Sequence, residues 1–136
     1  GLTLRVDRID RLGEALIVID YKTGRIGNRL DRERLVEPQL PLYALTNDRI
    51  RGVLYAEIDE VRPRLQGISE LPIASATVKP PAGGSWSAQI NSWRKKLDVL
   101  IEEIGAGYAA VAPFDASACQ NCHLGGFCRV DDGSSQ

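Results

Sequence analysis

Little in this chain announces a partner or a compartment. Basic and acidic side chains nearly balance, 17 against 18 over 136 residues, so no global field draws it to nucleic acid or to an anionic surface. No apolar run approaches the roughly 20 residues that cross a bilayer, and no signal-peptide pattern is present. Only three cysteines occur, an odd number crowded at Cys119, Cys122 and Cys128. That count does not make a disulfide framework, and a cytoplasmic location is the expectation. His123 is the sole histidine. No internal repeat is visible. With 43% hydrophobic residues, the chain can bury one core but not two.

What is present starts with Asp20-Tyr21-Lys22, at the end of the apolar run Ala15 to Ile19. Leu16-Ile17-Val18-Ile19 is short, apolar on both parities and rich in β-branching, the pattern of a central buried strand. Side chains alternate with period two, so Asp20 and Lys22 share one face of the sheet. An acid and a cation at the rim of a core, before the breaker Thr23-Gly24, point to something bound there. Upstream, Leu2 to Asp10 alternates as a half-buried strand. Gly13-Glu14 suits a two-residue hairpin turn with glycine first. In that register Asp7 faces Asp20, and Arg5 faces Lys22. Facing carboxylates roughly 5 Å apart repel, and a hard divalent cation between them removes the repulsion. Without such a cation Asp7 reads as a surface acid paired with Arg5 or Arg8, and Lys22 as a snorkelling strand-end lysine.

Further along, Asn28 or Asp31 could cap a helix running to about Asn47, but Pro38 and Pro41 place its start near Pro38, with both prolines in the first turn. Arg51 to Ile58 reads as a strand, Pro63 to Ser69 as a second, more exposed one, and residues 72 to 84 as a loop. Ser85 to Tyr108 is the clearest helix, with Ile90, Trp93, Leu97, Leu100, Ile101, Ile104 and Tyr108 as one apolar stripe expected in the core. Gln39 and Tyr43, four apart, share a helix face; taken alone, Tyr43 reads as a half-buried aromatic with a wet hydroxyl. Positive charge is local, at Arg5, Arg8, Arg11, Lys22, Arg25, Arg29, Arg32 and Arg34. It could meet phosphates, or form a solvated surface paired with Asp31 and Glu33. Cys119-x2-Cys122-x5-Cys128 aims thiolates at one centre, as zinc and iron–sulfur sites do. The tail from Gly133 is expected to fray.

Asp7-Arg8-Ile9-Asp10, then Val18 to Gly24, then Gln39-Leu40-Pro41-Leu42-Tyr43, then Cys119, Cys122 and Cys128-Arg129 stand in an order that resembles RecB-type nucleases of the PD-(D/E)XK superfamily. The likeness is strongest to the iron–sulfur nuclease domains of bacterial helicase–nuclease B subunits (AddB-like) and to CRISPR-associated exonucleases. It implies an α/β restriction-endonuclease-like core, a mixed sheet with an antiparallel hairpin flanked by helices. It further implies metal-dependent cleavage of DNA phosphodiester bonds, exonucleolytic and in recombinational repair, beside a helicase subunit or domain. A non-catalytic DNA-binding or scaffolding module is the rival expectation. On the matched positions, Asp7, Asp20 and the Tyr21 carbonyl would hold Mg2+ or Mn2+. Lys22 would act on the attacking water or the phosphate, and Gln39 and Tyr43 would border the substrate. Arg8 and Asp10 would form a supporting ion pair. Cys119, Cys122 and Cys128 would hold three corners of a 4Fe–4S cluster, with Cys3His zinc through His123 as the alternative. The resemblance puts a further metal ligand and the fourth cysteine upstream, so residues 1–136 are expected to be the C-terminal part of a larger protein, with the cysteine segment at 113–129 and activity in isolation uncertain.

Overall fold

The computed structural model describes residues 3–23, 29–30, 32–59, 61–108, 110–111, 113, 118–120 and 122–128. The breaker Gly24, the cation Arg25, the proposed caps Asn28 and Asp31, Arg129 and the tail from Gly133 lie outside the described residues.

The hairpin forms in the expected register. Strands β1 (Arg8–Leu12) and β2 (Ala15–Thr23) are antiparallel. The pairs Arg8 with Ile19 through Leu12 with Ala15 centre on Gly13-Glu14, where Gly13 takes φ 60°, open to glycine at no steric cost. The first strand is shorter at its start than the alternation from Leu2 suggests, because residues 3 to 7 make no ladder. β2 is internal to the sheet, and Ile17, Val18, Ile19 and Asp20 on it are all buried.

From β2 the chain passes through helix α1 (Gln39–Ala44) to β3 (Ile50–Ile58), which lies parallel to β2. A parallel neighbour cannot be reached by a tight turn, so a crossover is required. Helix α1 begins after Pro38 and holds Pro41 in its first turn, where a missing amide costs nothing. It ends at Ala44, short of the expected Asn47. β4 (Arg64–Ser69) returns antiparallel to β3, and β5 (Val78–Lys79) adds a short parallel edge inside the segment expected to be loop. The five strands thus form one mixed sheet in sequence order.

Helix α2 (Trp86–Gly105) starts where Ser85 Oγ accepts the Ala88 amide at 3.2 Å, an N-cap that satisfies one orphan donor. Its first turns pack inward. Trp93 is fully buried, meets Trp86 edge-on at 5.7 Å and donates from Nε1 to the Leu30 carbonyl at 3.2 Å. The stripe does not stay buried: after Leu97, Ile101 and Ile104 are 63% and 77% exposed, and Tyr108 is exposed too. The periodicity is real, but it marks a buried face only in the first turns of the helix. By contact pattern the chain divides into residues 1–99, which hold the sheet and the core, and residues 100–136. Helix α3 (Gly125–Cys128) lies in the second unit.

Candidate active site

The sheet delivers its charged residues at the ends of β2 and β3. Asp20 stands beside Tyr55 in the parallel register, and Asp7 lies just before the last hairpin pair, Arg8 with Ile19. Asp7 is tied there by its own carboxylate, whose Oδ2 accepts the Tyr21 amide at 3.1 Å. Asp7 is exposed, whereas Asp20 is only 2% exposed.

Lys22 is the hub. Its Nζ lies 2.9 Å from Asp20 Oδ2 and donates to Gln39 Oε1 at 3.3 Å. Gln39 Nε2 donates onward to the Tyr43 hydroxyl at 2.9 Å, and Tyr43 donates to the Arg5 carbonyl. The ammonium also sits 5.9 Å from the centre of the Tyr55 ring, within cation–π range. Burial pulls the Lys22 pKa down, yet contact with Asp20 and the charges of Asp20, Glu37 and Asp7 outweigh it and hold it above the ordinary lysine value. Lys22 therefore stays charged. Beside it opens a groove of about 560 Å³ bordered by Arg5, Lys22, Glu37, Gln39 and Tyr43.

Asp20 Oδ2 is buried, and the Lys22 ammonium 2.9 Å away is the cation set against it. Burying a carboxylate costs free energy that this ion pair offsets, and a divalent ion on its other oxygen would offset more. Among the described residues no three His, Cys, Asp or Glu side chains gather as a full metal cage. Mg2+ does not ask for one, since it is commonly held by one or two carboxylates together with waters and substrate phosphate. The oxygen donors of Asp7, Asp20 and the Tyr21 carbonyl fit that pattern.

The expected cysteine cluster is not gathered among the described residues. Cys119 and Cys122 are exposed free thiols joined by a turn in which the Cys122 amide donates to the Cys119 carbonyl at 3.2 Å. Cys128 is a half-buried free thiol at the end of α3. The absence of any three-ligand group among the described residues covers these thiols and His123 alike. The x2 spacing makes the turn, but convergence of the third thiol needs a tertiary contact that the spacing does not encode. No step is assigned to an iron–sulfur or zinc centre.

Arg8 and Asp10 pair as expected, at 2.7 Å on the surface, and Arg8 also donates to the Tyr21 hydroxyl at 3.2 Å. Two residues escaped the sequence reading. Glu37 ion-pairs with Arg29 and adds its charge beside Lys22. Tyr55 is 1% exposed, and its hydroxyl lies near the Glu37 carboxylate. Burial first, then the nearby charges of Glu37 and Asp20, push its pKa well up, so it remains a neutral donor. Glu37 stood two residues from Gln39 as the one available signal; Tyr55 offered only its place in an apolar strand.

The family model of the PD-(D/E)XK nuclease superfamily matches residues 1–129. No curated protein and no solved structure matches the chain.

Proposed function

The chain belongs to the PD-(D/E)XK nuclease superfamily, and from that premise we propose that it is a Mg2+- or Mn2+-dependent deoxyribonuclease of RecB type centred on Asp7, Asp20 and Lys22. The observation that carries the reading is the buried Asp20 ion-paired at 2.9 Å with a charged Lys22 at the mouth of a groove. A divalent ion on Asp7, Asp20 and the Tyr21 carbonyl would activate water and offset phosphate charge. Lys22 then contributes a fixed positive donor for the charge that builds on the phosphate oxygens as water attacks and the bridging P–O bond breaks. Gln39 and Tyr43 hold the ammonium in place through their hydrogen-bond chain, and Arg5 at the groove's edge meets the backbone phosphates.

The finer reading is exonuclease action in recombinational repair, with a helicase subunit or domain feeding the strand, as in AddB-like and CRISPR-associated relatives of this motif order. A groove walled on one side by α1 suits a strand end better than an embraced duplex. The rival, a non-catalytic DNA-binding module, is disfavoured because DNA binding alone has no use for a buried Asp20 paired with a charged Lys22. The test is cleavage of end-labelled single- and double-stranded DNA with Mg2+, Mn2+ or chelator, in wild type and Asp20→Ala. Metal-dependent release of end-labelled products that disappears in Asp20→Ala supports the proposal. Binding of DNA with no cleavage under any metal supports the module.

A further inference from the structure

Asp20, Tyr55 and Gln66 form a cross-strand row over β2, β3 and β4, from the pairings Asp20 with Tyr55 and Tyr55 with Gln66. The last two line a second cavity, of about 230 Å³, with Arg29 and Lys79 as its cations and Leu30 and Ile68 among its apolar walls. Arg29 borders this cavity while its ion-pair partner Glu37 borders the Lys22 groove, so the two spaces adjoin at that pair.

Two strand spacings, about 10 Å, separate Gln66 from Asp20 along the row, a reach that suits the nucleotide next to the one being cut. Tyr55 lines the cavity, and its buried hydroxyl lies near the Glu37 carboxylate, so the cavity's polar edge is built of Tyr55, Gln66 and the Arg29–Glu37 pair. Cations at the rim with apolar walls inside match a ligand that is anionic at one end and flat and apolar at the other. The cavity is smaller than the roughly 300 to 1,000 Å³ of drug-sized sites, which favours a single nucleotide unit over a duplex.

We propose that this cavity is a subsite for one nucleotide unit of the strand being cut, with Lys79 and Arg29 toward its phosphate, and Tyr55 and Gln66 toward its base or sugar. The proposal rests on the nuclease reading for its place in the reaction, but the binding itself can be measured without cleavage. Thymidine 5′-monophosphate, without metal, is titrated into the protein and its Kd measured; KM and kcat are then measured on a single-stranded oligonucleotide with Mg2+. Lys79→Ala and Gln66→Ala should each weaken the mononucleotide and raise KM by about tenfold with kcat within about twofold. Tyr55→Phe should weaken binding about fivefold with the fold intact by circular dichroism. Lys95→Ala, which removes an exposed cation on α2, should change neither quantity. Asp20→Asn should abolish cleavage and keep mononucleotide binding.

Mononucleotide binding lost in Lys79→Ala and Tyr55→Phe, in a protein that never cleaves DNA, would sustain the subsite and sink the catalytic reading alone. Metal-dependent cleavage with Kd and KM unchanged in those variants would overturn the subsite and leave the nuclease standing. Equal weakening by Lys95→Ala would reduce it to general charge attraction and overturn it as well.

Discussion

Lys22 is asked to do two things at once, to neutralise a buried Asp20 and to present a donor to the groove. Its contacts with Asp20 and Gln39 at 2.9 and 3.3 Å make both possible. Lys22→Ala should slow cleavage by roughly a hundredfold or more, the usual effect of removing one electrostatic donor, while DNA affinity by filter binding changes little. The acid neighbours raise the Lys22 pKa above its ordinary 10.5. The stabilisation from that shift is complete below the ordinary value and is lost as pH rises through the raised one. The pH profile of kcat should therefore show no alkaline loss that depends on Lys22 below about pH 10.5; a limb near neutrality that vanishes in Lys22→Arg would contradict this. The approach of Asp20 to Lys22 was legible in sequence because a period of two fixes which side chains share a face. Glu37 and Tyr55 were not, because their approach depends on the crossover between β2 and β3, whose path no local pattern encodes.

At the scale of elements, the hairpin and the long helix were legible and their extents less so. The stripe on α2 has one period from Ile90 to Tyr108, yet only its first part finds a core. Trp93→Ala should cost about 3 to 5 kcal/mol in urea denaturation, and Ile104→Ala less than about 0.5 kcal/mol; similar losses at both positions would mean that the later turns are buried as well. β5 went unseen because two residues in a proline- and glycine-rich segment give no alternation to read. Beside it, Gly67 on β4 lies so close to β3 that an added Cβ would stand 2.2 Å from the Val53 carbonyl oxygen. That clash is with backbone and cannot be relieved by a rotamer change. Gly67→Ala should destabilise by about 2 to 4 kcal/mol, and an unchanged denaturation midpoint would show that β3 and β4 lie farther apart.

For the whole molecule, balanced charge leaves recognition to local features, and the basic residues divide between structure and groove. Arg29, Arg49, Arg51 and Arg64 each hold a carboxylate, while Arg5 and Lys22 border the groove. Among the described residues, no helix is long and apolar enough to cross a membrane. Chain purified without oxygen should contain no stoichiometric iron, sulfide or zinc, and three thiols per chain should react with a disulfide reagent; bound iron with sulfide would restore the cluster that the motif order suggested. The most direct test of the central claim is metal-dependent cleavage of an end-labelled strand by the protein carrying this chain, beside its Asp20→Ala variant. The account predicts cleavage that requires Mg2+ or Mn2+ and is abolished by that substitution with the fold intact by circular dichroism. Cleavage persisting undiminished in Asp20→Ala would contradict it.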